Sequence, residues 1–534
     1  MSFKSNRNPQ FRSKFAEDIF NHKYAHEGCS TWSDLARVLV EDVCQGFMPK
    51  SEKDELVEMI TDLKFIPGGR YIYYAGRQNK FFNNCYLLKA EEDTREDWAD
   101  LSWKSESCLM TGGGIGIDYS VYREEGATLQ GTGGLASGPL PKMQMINEIG
   151  RRVMQGGSRR SAIYASLNWQ HPDISLFLES KNWQDLPVGT TGFNYAQIKE
   201  QDFNFPGPLF KQNVKQALST AEPGFSFNFF EKENETLRNA CTEVTSADDS
   251  DVCNLGSINM GRVDSIHEFS EVVELATKFL MCGTLRAKLP YSKVERIREK
   301  NRRLGLGLMG IHEFLVKKGE KYEVTPTLHS FLAVYKGISN KVSKNFSAAL
   351  GISTPVANRA IAPTGSIGIL AGTSTGIEPI FAVAYKRRYL KQGTRWHYQY
   401  VVDTAAQEII DLYDINPEEI DSALKLAEDY ERRIKFQADI QDYVDMSISS
   451  TINLPKWGSK NNNEDTVARF TEVLASYAHR LRGFTCYPDG CRGGQPLTPV
   501  PYKEAKEKLG EEFEESLESH DICTITGHGG SCGV

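Results

Sequence analysis

Long apolar runs are missing from this chain. No stretch of its 534 residues approaches the roughly 20 apolar residues that a membrane-spanning helix needs. The opening residues, MSFKSNRNPQFRSKF, lack the apolar core of a secretion signal, so the expectation is a cytosolic protein. Excess positive charge is missing as well: 62 Lys and Arg stand against 70 Asp and Glu, a net charge of −8. That balance argues against polymeric nucleic acid as the main partner. Nucleotides remain open, because they bind loops and helix N-termini rather than bulk charge. No internal repeat is visible. The length exceeds a usual single core and predicts two or three domains, or one large α/β domain with appendages.

Cysteine is present in an odd number, 11, at positions 29, 44, 85, 108, 241, 253, 282, 486, 491, 523 and 532. Without a secretion signal this predicts reduced thiols, with redox or metal chemistry where they cluster. Cys282 lies in an apolar helical run and reads as core, and Cys29, Cys44 and Cys108 read as packing residues. Residues 10–65 have helical spacing with acidic or Ser/Thr starts. From about 66 to 260 glycine-rich turns separate short apolar runs. Residues 263–350 and 403–482 are again mainly helical, with another Gly/Thr/Ser loop at 360–385. A charged helix then leads to the Gly-rich tail DICTITGHGGSCGV, expected to be mobile. The alternation of glycine turns, short strands and helices predicts an α/β fold. The boundaries follow as an N-terminal helical region (1–65), a central α/β region (66–505) and a C-terminal helix with tail (506–534).

The segment RNACTEVTSADDSDVCNLGSINM places Asn239, Cys241 and Glu243 at alternate positions. In extended backbone these share one face. A thiol beside a carboxylate is biased towards its protonated form. That suits hydrogen-atom chemistry and is poor design for a thiolate nucleophile. Taken alone, the triplet is more simply a polar turn with a half-buried cysteine. Cys85 and Cys253 each precede an apolar run and read as strand-borne thiols. The segment IAPTGSIGIL puts Pro363, Thr364 and Ser366 at a helix or turn start, where backbone N–H groups and hydroxyls make an anion cradle or simply a cap. Gly305, Gly307 and Gly310 spell a literal G-x-G-x-x-G, but a charged helix precedes it where dinucleotide binding requires a strand; close helix packing is expected there instead. Cys486, Cys491, Cys523 and Cys532 are spaced more loosely than common zinc sites. Thiol exchange is the rival reading for Cys523 and Cys532, and no metal is assigned.

The motifs FIPGGRYIYYAG, NNCYLLKAEEDT, TGGGIGIDYS, ASGPLPKM, QGGSRRSAIYASLNWQHPDI, NACTE, CNLGSIN, RRLGLGLMG, APTGSIGILAGTSTGIEP and YPDGCRGGQPLTPV occur in this order. In that order they resemble a ribonucleotide reductase catalytic subunit. The resemblance implies a ten-stranded α/β barrel of two five-stranded half-sheets, with the radical cysteine on an inner finger loop. It implies that Cys241 forms the thiyl radical that takes the ribose 3′ hydrogen. Cys85 and Cys253 would supply two electrons and end as a disulfide, Glu243 would take the 3′-hydroxyl proton, and Asn239 would hold the ribose hydroxyls. Gly69, Asn84, Gly113, Pro363, Thr364, Gly365, Ser366 and Ile367 would hold substrate. The loops QGTGGLASG and GGSRRSA, with Asp93, Arg159 and Arg160, resemble those that report a bound deoxynucleotide effector. Cys523 and Cys532 would re-reduce the buried disulfide, with a thioredoxin-like protein as outside reductant.

The family divides by radical source. The sole Tyr-Tyr pair, Tyr73–Tyr74, lies far from the C-terminus, where the oxygen-dependent class carries its relay, and GSCGV is a poor match to a glycyl-radical motif. YPDGCRGGQPLTPV resembles the adenosylcobalamin-dependent class II, which implies that cofactor. The absence of Asp-x-His-x-x-Gly is neutral. The triplet has Ala240 and Thr242 where the family usually has Pro and Gly, and the tail pair is wider than the usual spacing. Cys85 comes so early that no room is expected for the roughly hundred-residue ATP-binding cone. The rivals are a metal-dependent catalytic subunit needing a partner protein, and a non-catalytic nucleotide-binding regulator, which retention of the five site residues opposes. Diphosphate and triphosphate substrates, and monomer and homodimer, stay open.

Overall fold

The computed structural model describes residues 11–153, 161–182, 189–198, 207–229, 234–391, 395–491 and 497–514. In chain order its strands are β1 (Phe65–Pro67), β2 (Cys85–Lys89), β3 (Gly114–Asp118), β4 (Ile163–Asn168), β5 (Thr190–Ile198), β6 (Gly224–Phe229), β7 (Leu237–Arg238) and β8 (Thr245–Ser246). They continue as β9 (Asp251–Asn259), β10 (Leu304–Met309), β11 (Ala384–Lys391), β12 (Arg395–Val402), β13 (Thr451–Leu454), β14 (Gly483–Pro488), β15 (Leu497–Pro499) and β16 (Glu512–Glu514). The chain gathers into two compact units. One comprises Met1–Asn84, Val252–Ile377 and Tyr443–Asp445, the other Cys85–Asp251, Glu378–Asp442 and Met446–Val534.

In the first unit the expected N-terminal helices form at Lys14–Lys23, Trp32–Cys44 and Lys50–Thr61. Ser13 and Thr31 cap the first two by accepting from the amides of Ala16 and Asp34, satisfying donors that a helix start leaves open. Leu35, Leu39 and Val43 recur at helical spacing and are buried, and their helix packs against the helix Ile266–Arg286. The unit's sheet centres on β9, with β1 antiparallel and β10 parallel to it. Every residue of β9 is buried, as expected for a strand covered on both faces.

RLGLGLMG differs from expectation: it is the strand β10, not a helix contact. Its glycines do serve close approach. A Cβ on Gly305 would stand 2.8 Å from Cys253 Sγ, and one on Gly307 would stand 2.7 Å from the Ala360 carbonyl. The helix Ser292–Asn301 precedes it, so the dinucleotide reading stays excluded.

In the second unit β2, β3, β4, β5 and β6 lie side by side in chain order, all parallel. Helices Arg95–Met110, Pro139–Arg152, Ile174–Leu178 and Pro208–Thr220 fall between successive strands from β2 onward. This is the crossover pattern that parallel strands require. β14 joins β6 antiparallel and β13 joins β14 parallel. The α/β class and the ten main strands are therefore present, three in the first unit and seven in the second. β2 to β6 form one complete five-stranded half-sheet. Tyr195, Phe225 and Phe227 stack along it at centroid distances of 5.6–6.1 Å. A four-stranded antiparallel sheet ordered β15-β11-β12-β16 was not legible in the sequence. No helix among the described residues is long and apolar enough to cross a membrane.

Candidate active site

The triplet sits at the tip of a hairpin in the second unit. β7 pairs antiparallel with β8 through Leu237↔Ser246 and Arg238↔Thr245, so residues 239–244 must reverse the chain. The expected extended run is corrected here: ladder pairing stops at Arg238 and local hydrogen bonds take over. Thr242 donates its amide to the Asn239 carbonyl at 3.0 Å. Val244 donates its amide to Asn239 Oδ1 at 2.9 Å, a side-chain closure that asparagine suits. Thr242 takes φ +70°. Burial follows the turn: Asn239 and Glu243 are fully buried, and Cys241 is partly exposed.

The hairpin lies on β2 and β3, and two glycines of β3 make room. A Cβ on Gly116 would run into the Arg238 carbonyl, and one on Gly114 would stand 2.8 Å from the Ala240 Cβ. Cys85 opens β2 directly opposite Gly114. The structure thus brings Cys85 and the triplet to the same corner of this unit. Gly113 is buried immediately before β3. The returning leg is fixed by Asp249, which is buried and accepts from the Lys89 amide at 2.8 Å and from Lys104 Nζ at 3.0 Å.

Burial pushes the Glu243 carboxyl up to about 7, against the opposing pull of the Asn239 amide and of Glu243's own backbone N–H. The Asn239 amide and the Glu243 carboxyl are near enough to influence each other, but among the described residues none of Glu243 Oε1, Glu243 Oε2 and Asn239 Nδ2 makes a hydrogen bond of good geometry. Buried polar atoms are normally satisfied, so these point to a missing polar ligand. Ser447 donates its amide to the Glu243 carbonyl at 2.8 Å. The Ser447 and Thr242 hydroxyls lie 3.0 and 3.8 Å from where a Cβ on Gly483 would stand.

The first unit carries the other predicted residues. Cys253 is buried on β9, its thiol contacting the Asn254 carbonyl at 3.4 Å. Asn83 donates to the Cys253 carbonyl at 3.3 Å and to Asn254 Oδ1 at 2.7 Å. The Asn84 amide comes within 3.0 Å of a Cβ position on Gly68, beside Gly69, and Asn84 Oδ1 is buried without a partner among the described residues. Pro363 and Thr364 lead into the helix Gly365–Ala371, which contains Ser366 and Ile367. Thr364 is not a side-chain cap. It sits at φ +54° and its hydroxyl accepts from the Gly376 amide at 2.8 Å, closing the loop on itself.

Asp93 is already engaged: its carboxylate takes the Arg123 guanidinium and, at 3.2 Å, the Arg123 amide. The loop from Thr128 to Leu135 forms a small exposed bridge. Arg159, Arg160, Cys523 and Cys532 lie outside the described residues. Cys29, Cys44, Cys108 and Cys282 are buried, as packing residues should be. Cys486 is buried on β14, and burial pushes its thiol up to about 12.

Two further residues escaped the sequence reading. Lys23, at the end of the first helix, donates to Ser366 Oγ at 3.1 Å. Arg238, next to Asn239, is almost fully buried. A lysine 343 positions from its partner leaves no local signal. An arginine directly before the triplet was a signal, since charge is rarely buried without a task.

The family profile described as "Ribonucleotide reductase, barrel domain" matches residues 83–204, 194–330 and 356–487, more than half of the chain. A vitamin B12-dependent ribonucleoside-diphosphate reductase of Mycobacterium tuberculosis (strain CDC 1551 / Oshkosh) is 26% identical over 529 residues, covering 86% of this chain and 75% of the relative. One of the same name from Thermoplasma acidophilum is 26% identical over 514 residues, covering 83% of this chain and 66% of the relative. The Actinobacillus ureae class Id ribonucleotide reductase alpha subunit superposes with TM-score 0.72 at 14% identity, over 90% of this chain and 98% of that one; at that identity the likeness concerns the fold. With the matched profile spanning both compact units, the chain belongs to the ribonucleotide reductase family through its barrel domain.

Proposed function

We propose that the protein reduces ribonucleotides to 2′-deoxyribonucleotides by thiyl-radical chemistry, with adenosylcobalamin generating the radical. The observation that carries this reading is the hairpin tip: a partly exposed thiol held between a buried amide and a buried carboxyl of pKa about 7. The names of the vitamin B12-dependent relatives support the cofactor. So does the tip itself, because Cys241 is the one member of the triplet open to an outside radical source. When bound, adenosylcobalamin supplies a carbon-centred radical able to accept a hydrogen atom. Thr242, Ser447 and Gly483, which meet at the tip, are the residues we assign to its adenosyl end.

The chain's own residues then divide the work. Cys241, as thiyl, takes the 3′ hydrogen of the ribose. Glu243, poised near neutral pH as an efficient general base should be, takes the 3′-hydroxyl proton. Asn239 Nδ2 holds a ribose hydroxyl. The 2′-hydroxyl leaves as water, and Cys85 and Cys253 give up two electrons and two protons, joining as a disulfide. Glu243 gives its proton back to the 3′ oxygen, and Cys241 finally returns its hydrogen to the 3′ carbon. Gly69, Asn84, Gly113 and residues 363–367 are assigned to substrate, and Asp93 with Arg159 and Arg160 to a deoxynucleotide effector. Cys523 and Cys532 are assigned to re-reduction by exchange, with a thioredoxin-like donor, in a cytoplasmic monomer or homodimer.

The test is to incubate the purified chain with ribonucleoside diphosphate or triphosphate, a dithiol and adenosylcobalamin, and to measure deoxyribonucleotide. Product is expected from the wild type and none from Cys241→Ser, which should still bind nucleotide. Turnover by Cys241→Ser, or wild-type activity appearing only with an added metal-containing subunit, would overturn the reading.

A further inference from the structure

Arg238 spreads its two Nη atoms over five acceptors, while its Nε is buried without a partner among the described residues. Its Nη1 donates to the carbonyls of Glu235 at 2.6 Å and Leu237 at 3.0 Å. Its Nη2 donates to the Phe227 carbonyl at 3.2 Å, to Asn228 Oδ1 at 2.7 Å and to the Arg482 carbonyl at 3.0 Å. One planar group therefore ties three pieces of the second unit together: the foot of the hairpin, the end of β6, and the residue before β14. It does so at the end of the β6–β14 ladder, where Ser226↔Gly483 and Phe225↔Phe484 pair and the Phe227 amide donates to the same Arg482 carbonyl at 3.0 Å. The second foot reaches the same cluster, because Thr245 donates to Glu235 Oε2 at 2.8 Å and Arg482 pairs with that oxygen at 2.9 Å.

This arrangement is costly. Two guanidinium groups share a buried cluster, and desolvation, with the Arg482 charge next, pulls Arg238 down to about 9. Packed apolar side chains commonly serve stability as well as buried charges do. A cost accepted beside a reactive loop is intelligible if it fixes a position. The next residue is Asn239, and at the tip beyond it the Glu243 carbonyl accepts from the Ser447 amide at 2.8 Å.

We propose that Arg238 is the positioning residue of the reactive hairpin, its guanidinium holding Asn239, Cys241 and Glu243 in register against β3 and the β6–β14 junction. It touches no reacting atom. The catalytic part of the inference rests on the functional reading above, whereas its geometric part does not. Lysine offers a rotatable point charge in place of a rigid fork, and so cannot reach five acceptors at once.

The experiment compares Arg238→Lys with wild type in the full chain by two readouts. The first is the rate at which iodoacetamide labels Cys241, divided by the rate for Cys491 in the same sample. General loosening raises both rates, while release of the hairpin raises Cys241 alone. A several-fold rise in the ratio is expected. The second is the pH profile of kcat with ribonucleotide, dithiol and adenosylcobalamin. A displaced tip lets water reach Glu243, whose pKa is raised by burial against the lowering pull of the Asn239 amide and of its own N–H; no charged side chain contributes. The rising limb should therefore move below 7, with kcat down about 10- to 100-fold, the usual result of a small misplacement. An unchanged labelling ratio in a folded Arg238→Lys protein overturns the proposal, as does activity that falls without any shift of the limb. If that variant does not fold, Asn228→Ala removes one acceptor and the same ratio decides. Wild-type inactivity would defeat the functional reading, and the labelling ratio would still judge the hairpin.

Discussion

At the scale of single residues, Glu243 carries the pH dependence. Its folded pKa of about 7 lies above the ordinary carboxyl value of roughly 4.3. Between those values the folded state binds more protons than the unfolded one, so this residue's contribution to stability is lost as pH rises through that window. On the proposed role of Glu243 as the base, activity runs the other way, since the base must be ionised, and turnover should climb through about pH 7. Glu243→Gln should therefore abolish turnover while raising the unfolding free energy at pH 8 by up to about 3 kcal/mol; chemical denaturation at pH 5 and pH 8 checks the sign. Thr242 supplies a second prediction. A β-branched residue at φ +70° stores roughly 1–2 kcal/mol, and Thr242→Gly should recover about 1 kcal/mol after glycine's entropic cost, seen as a higher melting temperature. At this scale the residue types of the triplet were legible because chemistry is local. Their burial was not, since it depends on what β3 lays against them.

At the scale of elements, the glycine runs were legible as turns or close contacts, but not as strands. β3 and β10 use glycine on one face and Ile or Leu on the other. Glycine lowers strand propensity, so the pattern pointed away from sheet. The partners that require those glycines lie 122 and 52 positions distant: the Arg238 carbonyl above Gly116, and Cys253 Sγ beside Gly305. Gly116→Ala should overpack the hairpin and cost about 1–3 kcal/mol, with a loss of kcat exceeding any change in KM. The helix Lys14–Lys23 makes a different prediction. Arg12 fastens its start to Glu313 at 2.8 Å and to the Gly372 carbonyl at 3.0 Å, and Lys23 reaches Ser366. Lys23→Gln should raise KM for nucleotide several-fold and leave kcat near wild type, with Lys23→Arg largely restoring binding; steady-state kinetics on diphosphate and triphosphate distinguish the two.

At the scale of the molecule, the helical start, the glycine-rich middle and the charged end were readable as consecutive blocks, because composition changes along the chain. The compact units were not, since each collects discontinuous segments and β14 joins β6 from more than 250 residues away. The thiols are distributed accordingly. Among the described cysteines, Cys241 and Cys491 are partly exposed and the other seven are buried. Brief alkylation of the native chain followed by peptide mass mapping should mark these two before Cys29, Cys44, Cys85, Cys108, Cys253, Cys282 or Cys486, and bound nucleotide should shield Cys241 but spare Cys491. The bare glycine track on β3 has a consequence for diversity. Positions 240 and 242 hold Ala and Thr where the family resemblance implies Pro and Gly, so the tip accepts exchange, whereas a Cβ on Gly116 would run into the Arg238 carbonyl and one on Gly114 would crowd Ala240. Distant members of this lineage would then be recognised more securely by that smooth bearing surface than by the motif that rides on it.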